Sequence, residues 1–294
     1  MENIQLIINP YAGRGAAARI GPHVARRLSR YGFDCAARLT NEPKHATNLV
    51  KTAVEDGADT IVVVGGDGSI NECVNGLAKI RRKINFGIIP VGTGNDFIKM
   101  LGMPRDWEYA CERIRAGNIK KVDIGKCNKR YFANGVGIGF DAQVAFEANQ
   151  IRWLKGNLVY GAALLKTLTF CYQTPLVKIT LDDREFEQAI TMLAVANGRC
   201  YGGAFNIAPR ADVTDGKFEI VVAEGMNRRQ ILKLVPDVLR GTHLDKSNVQ
   251  SFRTDSVTIE SETPLRVHLD GEIPEEDIHK LAIKIKPGAI NVIC

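Results

Sequence analysis

A glycine turn between a strand pattern and a helix pattern is the feature that most limits the fold of this chain. Residues 60–64 form a β-branched apolar run, residues 65–69 (GGDGS) follow, and residues 70–78 have helical spacing. A strand, a glycine turn and a helix start in this order point backbone N–H groups toward a bound anion. Asp67 would repel a phosphate bound in this turn unless a cation lay between them. The turn therefore predicts Mg²⁺ and nucleotide chemistry.

A second turn of the same kind makes ordinary loop punctuation an unlikely explanation for the first. Residues 86–89 form another short apolar strand, and residues 92–97 (GTGNDF) lead into a helix. Adjacent βα units open their loops at one edge of a parallel sheet, and ligands bind at that edge. The two turns therefore predict one shared site.

The first 125 residues alternate strand and helix patterns, which predicts a parallel sheet covered on both faces. Strands are predicted at 6–8, 34–39, 60–64 and 86–89, and helices at 16–31, 44–55 and 70–78. A third glycine loop at residues 9–15 and the pair Thr40-Asn41 also follow strands. Four such strand ends suit one nucleotide laid across the sheet edge.

After about residue 122 the pattern changes to alternation with period 2, which predicts an antiparallel sheet, most simply a sandwich. Predicted strands include 177–181, 218–222, 256–260 and 265–269, interrupted by helical stretches near 141–170 and 227–239. The glycines of residues 135–139 fall within an alternating pattern and are interpreted as strand, not as a dinucleotide loop. The predicted domains are 1–122 and 123–286, and the C-terminal segment 287–294 is a candidate to return to the first domain. The strand-like pieces 281–286 and 290–294 suit either domain, so the chain could cross the boundary twice.

Bulk properties exclude several classes of protein. The 294 residues are 45% apolar and 24% charged, with seven cysteines that form no CxxC pair and five histidines without zinc-ligand spacing. We expect reduced thiols, no signal peptide and a cytoplasmic location. The net charge of +6 suits an anionic partner, but with 7% aromatic residues and no stacking platform we expect no nucleic acid partner.

The segment 151–170 supports two interpretations. Its leucines fall near one helical face, with Trp153 and lysines at the edges. The segment is either a helix packed on the sheet or a partly exposed apolar surface that contacts lipid. Lys155 and Lys166 exclude a simple membrane span.

No Walker A loop and no protein-kinase motif set is present. The motifs that the chain does carry are Asn9-Pro10 with Gly13 and Gly15, residues 65–69 with Asn71-Glu72 and Asn75-Gly76, residues 92–97, Ala208-Pro209 with Asp212 and Asp215-Gly216, and Asp270-Gly271-Glu272. Together these motifs resemble the diacylglycerol kinase catalytic domain family, and more closely its small soluble bacterial lipid kinases. Ser69 stands where threonine is usual in the family.

The resemblance implies a fold and an activity. It implies a Rossmann-like parallel α/β domain that binds ATP, followed by an antiparallel β-sandwich domain for the lipid, with the active site in the interdomain cleft. The activity would be ATP- and Mg²⁺-dependent phosphorylation of a lipid primary hydroxyl, with diacylglycerol the leading substrate and phosphatidic acid the product. Transient peripheral contact with the inner membrane surface follows from a lipid substrate. The oligomeric state stays open, with a homodimer among the options.

The resemblance also assigns roles to residues. Glu272 would be the general base with Asp270 beside it, and Asp67 and Asp96 would hold the magnesium and water network at the phosphates. Asp215 would bind a structural Mg²⁺ with the backbone carbonyls of Asp212 and Lys217. The implied ATP contacts are Asn9, Pro10, Gly13, Thr40, Gly66, Asp67, Gly68, Ser69, Asn71, Glu72, Thr93 and Asn95.

Two alternatives remain at this stage. NAD kinases and phosphofructokinases also carry a Gly-Gly-Asp-Gly turn, although residues 92–97 resemble lipid kinases. A nucleotide-binding regulator without catalysis is the second alternative, against which stand the intact Asp67, Asp96 and Glu272. For Asp270-Gly271, a plain hairpin turn competes with a functional role.

Overall fold

The computed structural model describes residues 3–151, 157–182, 184–203 and 205–294. The chain divides into two compact units, Met1–Ile124 with Lys286–Cys294, and Gly125–Ile285. Both divisions fall inside strands, Ile119–Cys127 and Ile278–Ile293. Among the described residues, the helices are too short or too polar to cross a membrane.

The first unit alternates strands and helices, as predicted. Its elements are β1 (Asn3–Ile8), α1 (Ala12–Arg30), β2 (Asp34–Leu39), α2 (His45–Glu55), β3 (Thr60–Gly65), α3 (Asp67–Leu77), β4 (Asn85–Pro90), α4 (Asp96–Met100) and α5 (Trp107–Ala116). The strands pair in parallel in the order β2-β1-β3-β4. Every residue of β3 is buried, which explains its unbroken apolar sequence, since both faces of a parallel sheet are covered.

The second unit is mostly antiparallel. Its elements are β5 (Ile119–Cys127), β6 (Arg130–Phe132), β7 (Gly135–Gly139), α6 (Phe140–Gln150), α7 (Asn157–Lys166), a π-helix (Thr167–Cys171), β8 (Leu176–Leu181), β9 (Arg184–Ala196), β10 (Phe218–Glu224), α8 (Arg228–Arg240), a 3₁₀ turn (His243–Asp245), β11 (Val249–Thr254), β12 (Ser256–Leu265), β13 (Val267–Leu269) and β14 (Ile278–Ile293). Strand β9 pairs with β7, β8 and β10, all antiparallel.

Two apolar cores bury both faces of the β9–β10 pair. Leu193 and Ile220 belong to a core between β-strands, whereas their neighbours Ala194 and Val221 belong to a core with residues of α6, α7 and α8. Successive strand residues point to opposite faces, so this alternation is that of a sheet covered on each side. The predicted combination of a parallel α/β unit and an antiparallel sandwich is confirmed.

Two element predictions need correction. The helical stretch expected at 141–170 is divided into α6, α7 and the π-helix, and Trp153 and Lys155 lie outside the described residues. The pieces 281–286 and 290–294 belong to one strand, β14. Its first part pairs with β12 in the second unit, and its last residues, which belong to the first unit, pair in parallel with β4 (Asn291 with Asn85).

Candidate functional site

The carboxyl ends of the four parallel strands of the first unit lie side by side. Backbone hydrogen bonds continue past the strand ends, from Thr40 N–H to the Ile8 carbonyl (2.9 Å), from Asn9 N–H to Val64 (3.1 Å) and from Val91 N–H to Gly65 (3.0 Å). The loops that follow β1, β2, β3 and β4 therefore start at one sheet edge. The predicted ATP residues of these loops are brought together there.

The two glycine turns touch each other through their backbones. A Cβ atom on Gly66 would lie 3.0 Å from the Gly92 Cα, and one on Gly92 would lie 2.6 Å from the Gly66 Cα. Any side chain at Gly92 would thus push the turns apart. Gly13, with φ of +59°, has its missing side chain directed at the Val91 carbonyl, so the first loop joins the same backbone cluster.

Side-chain hydrogen bonds hold the β1 loop against the β3 loop. The Asn9 amide donates to the Ser69 hydroxyl (3.0 Å), and its carbonyl accepts from Tyr11 N–H (3.1 Å). Pro10 is half-buried beside Asn9, and Asn71 is buried and accepts from Asn75. Gly68 and Thr93 are exposed.

Gly66, the N-cap of α3, has no side chain to satisfy the first-turn N–H groups, which suits an anionic ligand.

Asp67 and Asp96 form an acidic pair at this edge. Asp67 Oδ1 accepts from the N–H groups of Asp96 (2.7 Å) and Phe97 (3.3 Å), and so caps the start of α4. Lys99 Nζ lies 2.7 Å from Asp96 Oδ1. Burial, and secondly the charge of Asp96, raise the pKa of Asp67 above its usual value. Asp67 therefore carries its negative charge at an energetic cost.

The outer oxygens of this pair converge over Gly94. A Cβ atom built on Gly94 would lie 2.8 Å from Asp67 Oδ2 and 3.6 Å from Asp96 Oδ2. The absent side chain leaves a small cradle lined by two carboxylate oxygens, and carboxylates are ligands that Mg²⁺ accepts. The residues present fit a divalent cation.

Asn95 lies under the second turn in a left-handed conformation, with φ of +51°. Its amide donates to the Gly92 carbonyl (2.7 Å). Its Oδ1 is buried without a hydrogen-bond partner among the described residues. Asparagine tolerates this conformation better than most residues, which accounts for its presence in the turn.

Glu72 has a contact that the sequence did not reveal. Its carboxylate accepts from the N–H groups of Lys44 (2.8 Å) and Ala46 (3.0 Å) at the start of α2, and its backbone carbonyl accepts from Thr47 Oγ1 (2.8 Å). Lys44, the N-cap of α2, makes no cap bond through its own side chain. Glu72 thus caps a neighbouring helix, and its predicted contact with ATP stays a prediction.

In the second unit, Asp270 and Gly271 form a two-residue hairpin turn between Leu269 and Glu272. Both have positive φ, +49° and +85°, and Leu269 and Glu272 exchange backbone hydrogen bonds of 2.8 and 2.9 Å. This is the geometry that Asp-Gly favours. His268 Nδ1 accepts from the Gly271 N–H at 3.3 Å.

The Asp270 carboxylate binds the chain that leads into β7. It accepts from the N–H groups of Ala133 (2.7 Å), Asn134 (2.9 Å) and Gly135 (2.8 Å), and these three residues are buried. Asp270 therefore forms part of the hairpin turn and also anchors that turn through its carboxylate. Asp270 holds the turn that carries Glu272 against the sheet.

Replacing Asp270 with Ala is expected to lower the free energy of unfolding by about 3 kcal/mol or more. The reason is that three buried N–H groups lose their acceptor, at roughly 1–3 kcal/mol each, with partial compensation by water. Urea denaturation measures the effect. Asp270→Asn, which keeps one acceptor oxygen, should lose less, and Asp277→Ala at an exposed position serves as the control. Equal stability of Asp270→Ala and wild type would contradict the anchoring role.

Glu272 is paired with Arg130 of β6, and both side chains are about one-third exposed (32% and 34%). The guanidinium orients the carboxylate while leaving it accessible to a substrate. Sequence reasoning missed Arg130, because the two residues are 142 positions apart and no local pattern connects them. Lys99 was missed as well, although its i,i+3 spacing from Asp96 is a readable signal.

The loop with Asp212, Asp215 and Lys217 has its carboxylates engaged. Asp215 Oδ1 accepts from Lys217 N–H (2.9 Å), and Oδ2 pairs with Arg253. Asp212 Oδ1 accepts from Thr214 N–H (3.0 Å) and from its hydroxyl (2.7 Å). This donor set does not fit a metal ion as it stands, and within the described ranges no cluster of three His, Cys, Asp or Glu residues suits one. The structural Mg²⁺ site stays a prediction.

Comparison with known proteins places both units in described families. The diacylglycerol kinase catalytic domain matches residues 3–127, and the YegS C-terminal NAD kinase beta sandwich-like domain matches residues 134–294. The chain is thus similar to known domains over nearly its whole length.

Whole-length relatives agree with the domain matches. A diacylglycerol kinase of Mycobacterium tuberculosis is 29% identical over 300 residues, covering 99% of this chain and 94% of that protein. One from Staphylococcus saprophyticus is 30% identical over 272 residues, covering 92% and 89%. A crystal structure of a diacylglycerol kinase from Bacillus anthracis has a TM-score of 0.81 at 30% identity and covers 99% of this chain and 96% of that one.

Proposed function

The chain belongs to the diacylglycerol kinase family, and on that premise we propose that it transfers the γ-phosphoryl group of ATP to a lipid primary hydroxyl. Diacylglycerol is the leading acceptor and phosphatidic acid the product. The observation that carries the proposal is the contact between the two glycine turns, with the oxygens of Asp67 and Asp96 converging over Gly94. Phosphoryl transfer depends mainly on positioning and charge stabilisation, which such a site can supply.

The first unit would bind ATP. The N–H groups at the start of α3 and the glycine backbone would contact the phosphates, with Asn9 and Ser69 holding the loops in place. The other residues proposed to contact ATP are Pro10, Gly13, Thr40, Gly66, Gly68, Asn71, Glu72, Thr93 and Asn95. The Gly66–Gly92 contact supports this, because it keeps the floor of the site free of side chains.

Asp67 and Asp96 would hold Mg²⁺. When bound, the ion neutralises phosphate charge that would otherwise meet two carboxylates. The raised pKa of Asp67 supports a cation here, since burial and the neighbouring Asp96 make the negative charge of Asp67 costly in the unliganded protein.

The second unit would supply the base. The acceptor oxygen bonds to the γ-phosphorus, the bond from that phosphorus to the β–γ bridging oxygen breaks, ADP leaves with the electron pair, and the hydroxyl proton passes to Glu272. A positioned carboxylate base contributes on the order of 10²- to 10⁴-fold. Arg130 would orient Glu272, and Asp270 would anchor the hairpin that carries it. We also propose transient contact with the inner membrane surface, where the lipid resides.

An acceptor panel tests the proposal. The purified chain, radiolabelled ATP and Mg²⁺ are combined with diacylglycerol, phosphatidylglycerol, a long-chain base or a polyprenol in mixed micelles, and separately with NAD. The NAD arm is included because residues 134–294 match an NAD kinase beta sandwich-like domain. Label in phosphatidic acid is the expected result. Label in NADP alone would overturn the proposal, and ATP binding without transfer to any acceptor would indicate a regulator.

A further inference from the structure

The outer face of α8 carries leucines and cations but has no neighbour among the described residues that covers it. Leu232 and Leu239 are 48% and 46% exposed, whereas the residues just before them, Ile231 and Val238, lie about 100° away around the helix and are buried. At 3.6 residues per turn, six of the exposed residues occupy an arc of about 120°, with the leucines on one side and the cations on the other. These exposed residues, which we call the α8 face, are Arg229, Leu232, Lys233, Pro236, Leu239 and Arg240.

A second exposed apolar group adjoins the beginning of α8. Arg228 Nε donates to the Leu168 carbonyl at 2.6 Å, and its Nη2 lies 3.4 Å from the Thr169 carbonyl. These contacts attach α8 to the π-helix, whose Phe170 is 80% exposed. Leu165, one turn earlier, is 60% exposed. Exposed apolar side chains thus also lie on the segment that contacts the beginning of α8.

The charge of this surface has one sign. Helix α8 contains Arg228, Arg229, Lys233 and Arg240, and its single acidic residue is Asp237. Asp237 is paired with Lys246 at 3.0 Å and lies 3.9 Å from Arg240. Among the described residues, no carboxylate lies within ion-pair distance of Arg229 or Lys233. Arg229 and Lys233 thus give the α8 face positive charge that no ion pair among the described residues neutralises, beside its exposed leucines.

We infer that the α8 face, with Phe170, is the surface through which this chain docks on an anionic lipid bilayer. A helix with leucines beside basic residues lies in the plane of a membrane interface, with its leucines among the acyl chains and its cations at the anionic headgroups. A second copy of this chain fits less well, because two such faces would bring like charges together. The inference rests on the proposed lipid kinase function and deepens it by assigning the membrane contact to named residues.

Vesicle sedimentation tests the inference. Wild type should bind vesicles of phosphatidylglycerol and phosphatidylcholine, and bind phosphatidylcholine alone more weakly. Leu232→Gln with Leu239→Gln, and separately Arg229→Glu with Lys233→Glu, should each lower partition onto the anionic vesicles about tenfold or more. Matched controls are Leu39→Gln with Leu176→Gln, which are 54% and 58% exposed elsewhere, and Lys129→Glu with Lys284→Glu. They should bind like wild type.

A soluble substrate separates this inference from the proposed function. Phosphorylation of a short-chain diacylglycerol below its aggregation limit should be unchanged in the α8 variants, since they leave the proposed active-site residues intact. If wild type fails to phosphorylate that substrate or long-chain diacylglycerol, the proposed function fails, and the vesicle result still decides the docking surface. Wild-type vesicle binding by both α8 variants would overturn the inference. So would a change from dimer to monomer in sedimentation velocity on removing the leucines, which would make the face a self-association interface.

Discussion

Replacing Glu272 with Gln is expected to lower kcat for lipid phosphorylation by about 10²- to 10⁴-fold, with little change in the KM for ATP. Glutamine keeps the shape of the side chain and an oxygen that can accept from Arg130, but it cannot take the proton of the acceptor hydroxyl. The hairpin stays intact, because its hydrogen bonds join the backbones of Leu269 and Glu272.

The measurement is steady-state kinetics in mixed micelles, together with a urea denaturation curve for each variant. Glu276→Gln is the matched control, since it makes the same chemical change at an exposed position four residues further on. We expect it to have wild-type kinetics. A kcat near the wild-type value for Glu272→Gln, with product confirmed as phosphatidic acid, would remove Glu272 from the role of base.

Much of the first unit could be predicted from sequence because each element has a local cause. Strand β3 is buried on both faces and is apolar throughout, and the glycine turn after it ends the strand where α3 begins. The contact between Gly66 and Gly92 follows from the same logic, since turns after adjacent parallel strands meet at one edge.

Other features have causes that lie far away in the chain. Pro287 and Gly288 divide the pattern of the last strand, yet β14 continues through them. The backbone N–H of Gly288 donates to Asp123 Oδ1 at 2.6 Å, so a distant side chain satisfies it instead of a strand partner. The division of residues 141–170 was equally unreadable, because apolar residues continue into the π-helix, where Leu168 is buried and Phe170 exposed.

The candidate site shows the same difference between local and distant information. The Asp-Gly hairpin is a local signal, but the three N–H groups that Asp270 binds belong to residues 133–135. Likewise, Glu72 reads as part of a phosphate loop, and its capping of α2 depends on the packing of two helices. The sequence predicted these residues as candidates, while their hydrogen-bond partners depend on the fold.

Replacing Asp67 with Asn is expected to lower kinase activity by about 100-fold or more, because one strong electrostatic contact in the transition state is lost. The same substitution is expected to make the unliganded protein more stable at pH 7. Asparagine keeps an oxygen for the N–H groups of Asp96 and Phe97. It removes a charge that is costly in this site, because burial and Asp96 both raise the pKa of Asp67. Lower activity with higher stability is typical of a residue kept for function.

The pH dependence of stability tests the same argument. Because the folded-state pKa of Asp67 is raised, the folded protein binds this proton more tightly than the unfolded chain does. Its ionisation therefore lowers the free energy of unfolding as pH rises from about 4, the unfolded value, through the raised pKa. The stability gain of Asp67→Asn should be largest above that pKa and disappear below about pH 4. Asp34→Asn, at an exposed position in the same unit, should show no such gain.

Thermal unfolding with Mg²⁺ and ATP links this charge to the ligand. A cation between Asp67 and Asp96 relieves the repulsion that destabilises the unliganded protein, so Mg²⁺ with ATP should raise the Tm of wild type more than that of Asp67→Asn. Asp34→Asn should shift like wild type. An equal Tm shift in Asp67→Asn and wild type would place the cation elsewhere. If unliganded Asp67→Asn were less stable than wild type at pH 7, Asp67 would be retained for its hydrogen bonds to α4 and not for its charge.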